Sequence, residues 1–155
     1  PDRLDLRFIK ANALTAYEKE SPDMALAYLL NLADMDHGRS RPWNYEGQKV
    51  EEAFFADSIL EYCYTFYQIG SASSRKAFLV LSEKMYGYDP DNVAYLNNIG
   101  AWHMISRDFK KALKCYDKVL KKDPGNQVAL QNALRIAQIQ KNAKRENKYK
   151  KMIGN

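Results

Sequence analysis

Two turns of nearly the same composition constrain this chain more than any other feature. Asp89-Pro90-Asp91-Asn92 recurs as Asp123-Pro124-Gly125-Asn126, with the prolines 34 residues apart. Proline cannot donate an amide and keeps the residue before it out of the helical region, so each turn ends the segment that precedes it. Asp91 or Asn92 can cap the segment that follows the first turn, by accepting a first-turn amide. Between the turns the spacing predicts one helix over 93–105 and a second over 109–122, with Ser106 and Asp108 breaking and recapping the chain. Leu96, Ile99 and His103 fall on one helical stripe, and Ala112, Tyr116 and Val119 on another. Gly100 and Ala112 are the small residues of the pair and predict a place where the helices approach closely.

This unit resembles a tetratricopeptide repeat, whose signature at period 34 is W-x2-L-G-x2-Y, then A-x3-F, then P. Leu96 stands in the Trp slot, Ile99 in the Leu slot, Gly100 in the Gly slot and His103 in the Tyr slot. Ala112, Tyr116 and Pro124 take the Ala, Phe and Pro slots. Leu for Trp, Ile for Leu and His for Tyr are departures, and none touches the contact between small residues. Weaker copies follow the same gaps: Thr65, Ala77 and Leu81, then Ala13, Ala25 and Leu29. Downstream, Leu134, Glu146 and Lys150 keep the spacing with polar residues in the last two places.

The resemblance implies an all-α fold, a right-handed α-α superhelix of about four stacked helical hairpins. The expected layout is one domain over 1–155: an N-terminal hairpin over 1–35, an irregular loop over 36–48, a degenerate repeat over 49–89, the full repeat over 90–126 and a capping hairpin over 127–155. Within it, Leu4 to Glu20 reads as the first helix. Ser21-Pro22-Asp23 reads as the start of the second, with a cap, a first-turn proline and an acid facing the helix dipole. The segment His37 to Gln48 carries too many breakers for a helix, and its Trp43 and Tyr45 are expected to anchor it against the helices.

Only 7 Gly and 5 Pro in 155 residues argue against a sandwich or barrel. No apolar run approaches the ~18 residues of a membrane span, so no insertion into a membrane is expected. The chain begins at Pro1, so an upstream segment is expected and no compartment is assigned. Charge is divided unevenly. Residues 1–100 carry 10 Lys plus Arg against 15 Asp plus Glu, and residues 101–155 carry 14 against 4. The chain is acidic in front and basic behind.

No catalytic or metal constellation emerges, and no cofactor is expected. Cys63 and Cys115 sit on different predicted helices without metal or redox spacing. His103 occupies a packing slot. Asp34, Asp36 and His37 could imitate a metal cluster, but they read as a helix end entering a loop, where such residues are common. There is no nucleophile elbow, phosphate-binding glycine loop or HExxH.

The family is one of binding scaffolds, in which the first helix of each hairpin lines a groove that holds a partner peptide or helix. The resemblance places Tyr62, Phe66 and Ile69 on the first stripe of that groove, Asn97, Ala101 and Met104 on the second, and Gln131, Arg135 and Gln138 on the third. The i, i+4, i+7 spacing puts each set on one helix face. Asn98 and Asn132 fall where a carboxylate-gripping subgroup has asparagine, but Tyr62, Ala94 and Val128 occupy its lysine places, so chaperone tails are not expected ligands. The expected role is a non-enzymatic protein-interaction module, with oligomeric state unassigned. Alternatives are nucleic acid (disfavoured as a partner) or an acidic partner on the basic C-terminal half, an enzyme-associated site near 36–48, and a structural spacer.

Overall fold

The computed structural model describes residues 22–38, 43–45, 48–50 and 52–154. In chain order these form α1 (Pro22–Gly38), β1 (Trp43–Tyr45), β2 (Gln48–Val50), α2 (Glu52–Ile69), α3 (Ala72–Tyr88), α4 (Val93–Ile105), α5 (Phe109–Lys122), α6 (Gln127–Ile139) and α7 (Ala143–Gly154). The helix expected over Leu4 to Glu20 and the cap at Ser21 lie outside the described residues. The chain divides into two compact units, Pro1–Tyr88 and Asp89–Asn155.

In the first unit α3 packs against both α1 and α2. Ala25, Leu29, Leu32 and Ala33 of α1 recur every three or four residues and are all buried. They belong to the same core as Ile59, Cys63, Phe66, Ala77, Phe78, Leu81 and Met85. Gly70 takes a left-handed conformation, φ 72°, which ends α2 without the steric cost of a Cβ. Ser71 then caps α3: its Oγ accepts from the Ser74 amide at 3.1 Å and its carbonyl from the Arg75 amide at 2.9 Å. At the other end Asp34 ties α1 to α3. It pairs with Lys84 at 2.6 Å and accepts from the Tyr88 hydroxyl. His37 stacks flat on the Tyr88 ring, with centroids 3.9 Å apart.

Two sequence expectations are corrected here. Asp34 and His37 lie inside α1, which runs to Gly38 rather than ending near Ala33. The segment expected to be an irregular loop over 36–48 contains an antiparallel strand pair, with Trp43 opposite Val50, Asn44 opposite Lys49 and Tyr45 opposite Gln48. Aromatic and β-branched residues favour such a pleated pair.

The second unit is a hairpin repeated. α4 and α5 span the two expected ranges, and α6 and α7 follow. Their backbones agree at a spacing of 34 even where side chains do not. Asn92 caps α4 through the Ala94 amide, and Asn126 caps α6 through the Ala129 amide. Asp108 caps α5 and Asn142 caps α7, each accepting the amide three residues on. Both inter-helix turns carry a non-glycine residue with positive φ, Arg107 at 59° and Lys141 at 53°. Each makes the same crossed pair of hydrogen bonds. Asp108 N donates to His103 O and Arg107 N to Met104 O; Asn142 N donates to Ala137 O and Lys141 N to Gln138 O. These bonds satisfy carbonyls that the helix end leaves unpaired.

Packing between these helices explains the small residues. Ala112, Leu113, Tyr116, Val119 and Leu120 form the buried stripe of α5, facing Tyr95, Leu96, Ile99 and Gly100 of α4. A Cβ placed on Gly100 would lie 2.7 Å from Tyr116 Cε1, closer than real side chains approach. In α7 the aromatic slot is shifted by one residue. Lys150 is exposed, and Tyr149 is buried in its place, its hydroxyl donating to Asp117 of α5 at 3.2 Å. Burial pushes the Tyr149 hydroxyl up to about 12, with the Asp117 carboxylate adding to the effect.

Candidate functional site

α4 and α6 are first helices of successive hairpins and pack against each other. Asn97 and Asn126 set their register. Asn126 Oδ1 accepts from its own helix at the Ala129 amide, so that atom must be the oxygen. Asn97 Nδ2 donates to the same oxygen at 3.1 Å. Asn126 Nδ2 in turn donates to Asp123 Oδ2 at 3.0 Å. This chain of bonds leaves Asn97 one orientation, with Oδ1 turned away. That oxygen is buried and has no hydrogen-bond partner among the described residues, in a side chain of which 7% is exposed.

Around it the expected stripe is unequal. Ala101 and Met104 are half-buried, while Gln131, Arg135 and Gln138 are exposed. Val128 and Ile139 are also exposed on α6, at 53% and 46%. Neither stood out in the sequence, because no periodic signal separates an exposed apolar residue from a core one. In the first unit Tyr62 is half-buried, and burial raises its hydroxyl pKa. Ile69 is exposed and Phe66 is wholly buried, so Phe66 belongs to the core there. Tyr64 and Tyr67 are the exposed aromatics of α2.

Of the residues assigned to repeat packing, Leu96, Ile99, Gly100, Ala112 and Tyr116 are buried. His103 is half-buried beside Trp102, edge to face at 5.3 Å. Pro124 is exposed, and its place in the turn acts through the backbone.

The charge is organised by helix. α4 holds no Lys, Arg, Asp or Glu, and α6 holds one cation, Arg135. α5 holds six lysines against Asp117, and α7 holds five cations against Glu146. The basic C-terminal half is therefore a property of second helices, and the first helices present a nearly neutral face. Among the described residues no three His, Cys, Asp or Glu side chains gather as metal ligands would. No described helix is long and apolar enough to cross a membrane.

Comparison with known proteins agrees with this geometry. Residues 93–126 match the family model described as tetratricopeptide repeat. The solved structure titled "Crystal structure of MamA" superposes with a TM-score of 0.65 at 14% identity, covering 98% of this chain and 78% of that one. No curated protein sequence matches. At that identity the likeness shows the fold, an α-α helical-repeat architecture. Such repeats serve in general as protein-interaction scaffolds, through the extended surfaces that stacked helix pairs create. Residues 93–126 are thus matched as a tetratricopeptide repeat, and the chain around them has a fold of the same α-α helical-repeat kind.

Proposed function

We propose that the second unit is a non-enzymatic module that holds an extended or helical segment of a partner protein across α4 and α6. Met104 and Ala101, with the exposed Val128 and Ile139, offer apolar contact. Gln131 and Gln138 offer amide donors and acceptors, and Arg135 the one cation. A segment with an apolar anchor and a nearby acid suits this surface.

The observation that carries the reading is the exposed face of α6: Val128, Gln131, Arg135, Gln138 and Ile139 are all exposed and lie within an arc of about 100°. Asn97 of α4 is buried beside α6, and Asn126, itself bonded to Asp123, holds its amide in one orientation. In the first unit Tyr62 and Ile69 share one face of α2 and offer the same class of partner a smaller apolar contact.

The test is selection of peptides from a random display library on the intact chain, followed by calorimetry on one recovered peptide. Met104→Glu and Arg135→Glu should each weaken it by at least about tenfold, a change of about 1.4 kcal/mol. Unchanged affinity in both variants would remove α4 and α6 from the binding surface.

A further inference from the structure

The lysines of α5 and α7 repeat a pattern that packing does not require. Lys114, Lys118 and Lys121 on α5 stand at i, i+4 and i+7, and Lys144, Lys148 and Lys151 on α7 stand at the same intervals. At 100° per residue each set lies within an arc of about 60°. All six are exposed. The α5 set is centred opposite the buried stripe of Ala112, Tyr116 and Val119. Three other lysines of these helices are engaged: Lys111 with Asp108, Lys122 with Asp91 and Lys150 with Glu146. None of the six has a carboxylate partner among the described residues. Lys148 lies over the Tyr149 ring, with Nζ 5.3 Å from its centroid.

The two rows are joined at one point. Asp117 lies on the α5 face between Lys114 and Lys121, and the Tyr149 hydroxyl of α7 donates to it. Asp117 keeps its charge in that bond, so the surface is two rows of three lysines around one carboxylate.

Composition narrows the partner. No large apolar or aromatic residue of α5 or α7 is exposed. Protein interfaces are anchored by such residues, and single-stranded nucleic acid stacks its bases on them. Base reading and minor-groove insertion use Arg, Asn or Gln forks; the rows themselves hold only lysine, a point charge without directional pairing, with Arg145 and Asn147 beside them on α7. An anionic lipid surface meets a protein by charge alone, across a broad face and without insertion. We infer that the lysine rows of α5 and α7 dock this protein on a bilayer rich in anionic headgroups, through attraction and not through insertion. This does not depend on the groove reading, since the two surfaces use different helices.

The experiment is co-sedimentation of the intact chain with vesicles of phosphatidylcholine alone, or with about one-third phosphatidylserine. The chain should pellet with the anionic vesicles only. Binding should fall by at least about tenfold towards 1 M salt, where the screening length is about 3 Å. Lys114→Glu/Lys118→Glu/Lys148→Glu should lose binding by at least about tenfold at low salt, with helical circular dichroism unchanged because all three side chains are exposed. Gln131→Glu/Gln138→Glu should bind vesicles as the unaltered chain does, so loss of the groove leaves this result standing. Failure to pellet with anionic vesicles overturns the proposal, as does equal binding to neutral ones or retention by the charge-reversed variant. Tighter binding to duplex DNA than to anionic vesicles at the same salt overturns it in favour of a nucleic-acid face.

Discussion

Gly100 of α4 lies against the ring of Tyr116 of α5 so closely that an added Cβ would stand 2.7 Å from Cε1 and 2.9 Å from Cζ. Tyr116 is wholly buried and cannot swing aside. Gly100→Ala gains up to ~1 kcal/mol of helix propensity, but overpacking costs about 1–3 kcal/mol, and overpacking should win. Chemical denaturation should show net destabilisation, and Tyr116→Leu should relieve part of it in a double-mutant cycle. Gly87 of α3 is the control. Nothing lies within 4 Å of its Cβ position, so Gly87→Ala should be neutral or stabilising.

Arg107 and Lys141 hold left-handed conformations that cost a non-glycine residue about 1–2 kcal/mol. Arg107→Gly and Lys141→Gly should each raise stability by about 0.5–1 kcal/mol, less than the full cost because glycine also loosens the unfolded chain. Gly70→Ala at φ 72° should lower it. Thermal melts of the three single variants check the signs together.

How much of this was legible follows from where each cause resides. The cap at Asp91 or Asn92, which the structure resolves to Asn92, and the one at Asp108 could be read because turn chemistry is local. The left-handed turns at Arg107 and Lys141 could not, because glycine marks such a turn only at Gly70. Tyr149 is legible as part of the apolar stripe that it forms with Met152 and Ile153, but its place in the repeat is not. The repeat spacing points to Lys150, and burial chose the neighbour because an aromatic ring fills the slot that a lysine would leave charged. The strand pair over 43–50 was masked by Gly38, Pro42 and Gly47, which read as breakers of a helix rather than as edges of a hairpin. The stripe on α4 and α6 was placed by resemblance, but the burial of Asn97 and the orientation of its amide depend on which way a neighbouring amide points, and only packing decides that.

Asn126→Ala removes three bonds at once: the cap to Ala129, the acceptor for Asn97 and the donor to Asp123. Loss of a cap alone costs about 0.5–2 kcal/mol, and the stranded Asn97 amide adds to it. Asn142→Ala removes a cap without a second partner, so Asn126→Ala should be the more damaging in denaturant titrations.

Titration should weaken the fold at both extremes. Asp34 is held below its usual range by the Lys84 and Tyr88 hydrogen bonds, and Glu146 below its range by Lys150. A lowered carboxyl contributes stability present above its unfolded value, 3.8 for Asp and 4.5 for Glu, and lost as pH falls through the folded value. Cys63 is pushed up from 9.0 to about 12 by burial, and Tyr149 from 10.0 to about 12. Raised groups contribute stability present below the unfolded value and lost as pH climbs towards the folded one. Denaturant midpoints should therefore be flat near neutrality, fall below about pH 4 and fall again between about pH 9 and 12. Lys84→Met should blunt the acid limb. Cys63 should resist alkylation in the native state at pH 8, since only the thiolate reacts.

The most direct measurement is a backbone amide NMR titration of the intact chain with a peptide selected on it. Binding in the groove predicts shifts at Asn97, Ala101, Met104, Gln131, Arg135 and Gln138, and quiet signals from Lys114, Lys118 and Lys148. Shifts confined to α5 and α7, with α4 and α6 unmoved, would contradict it.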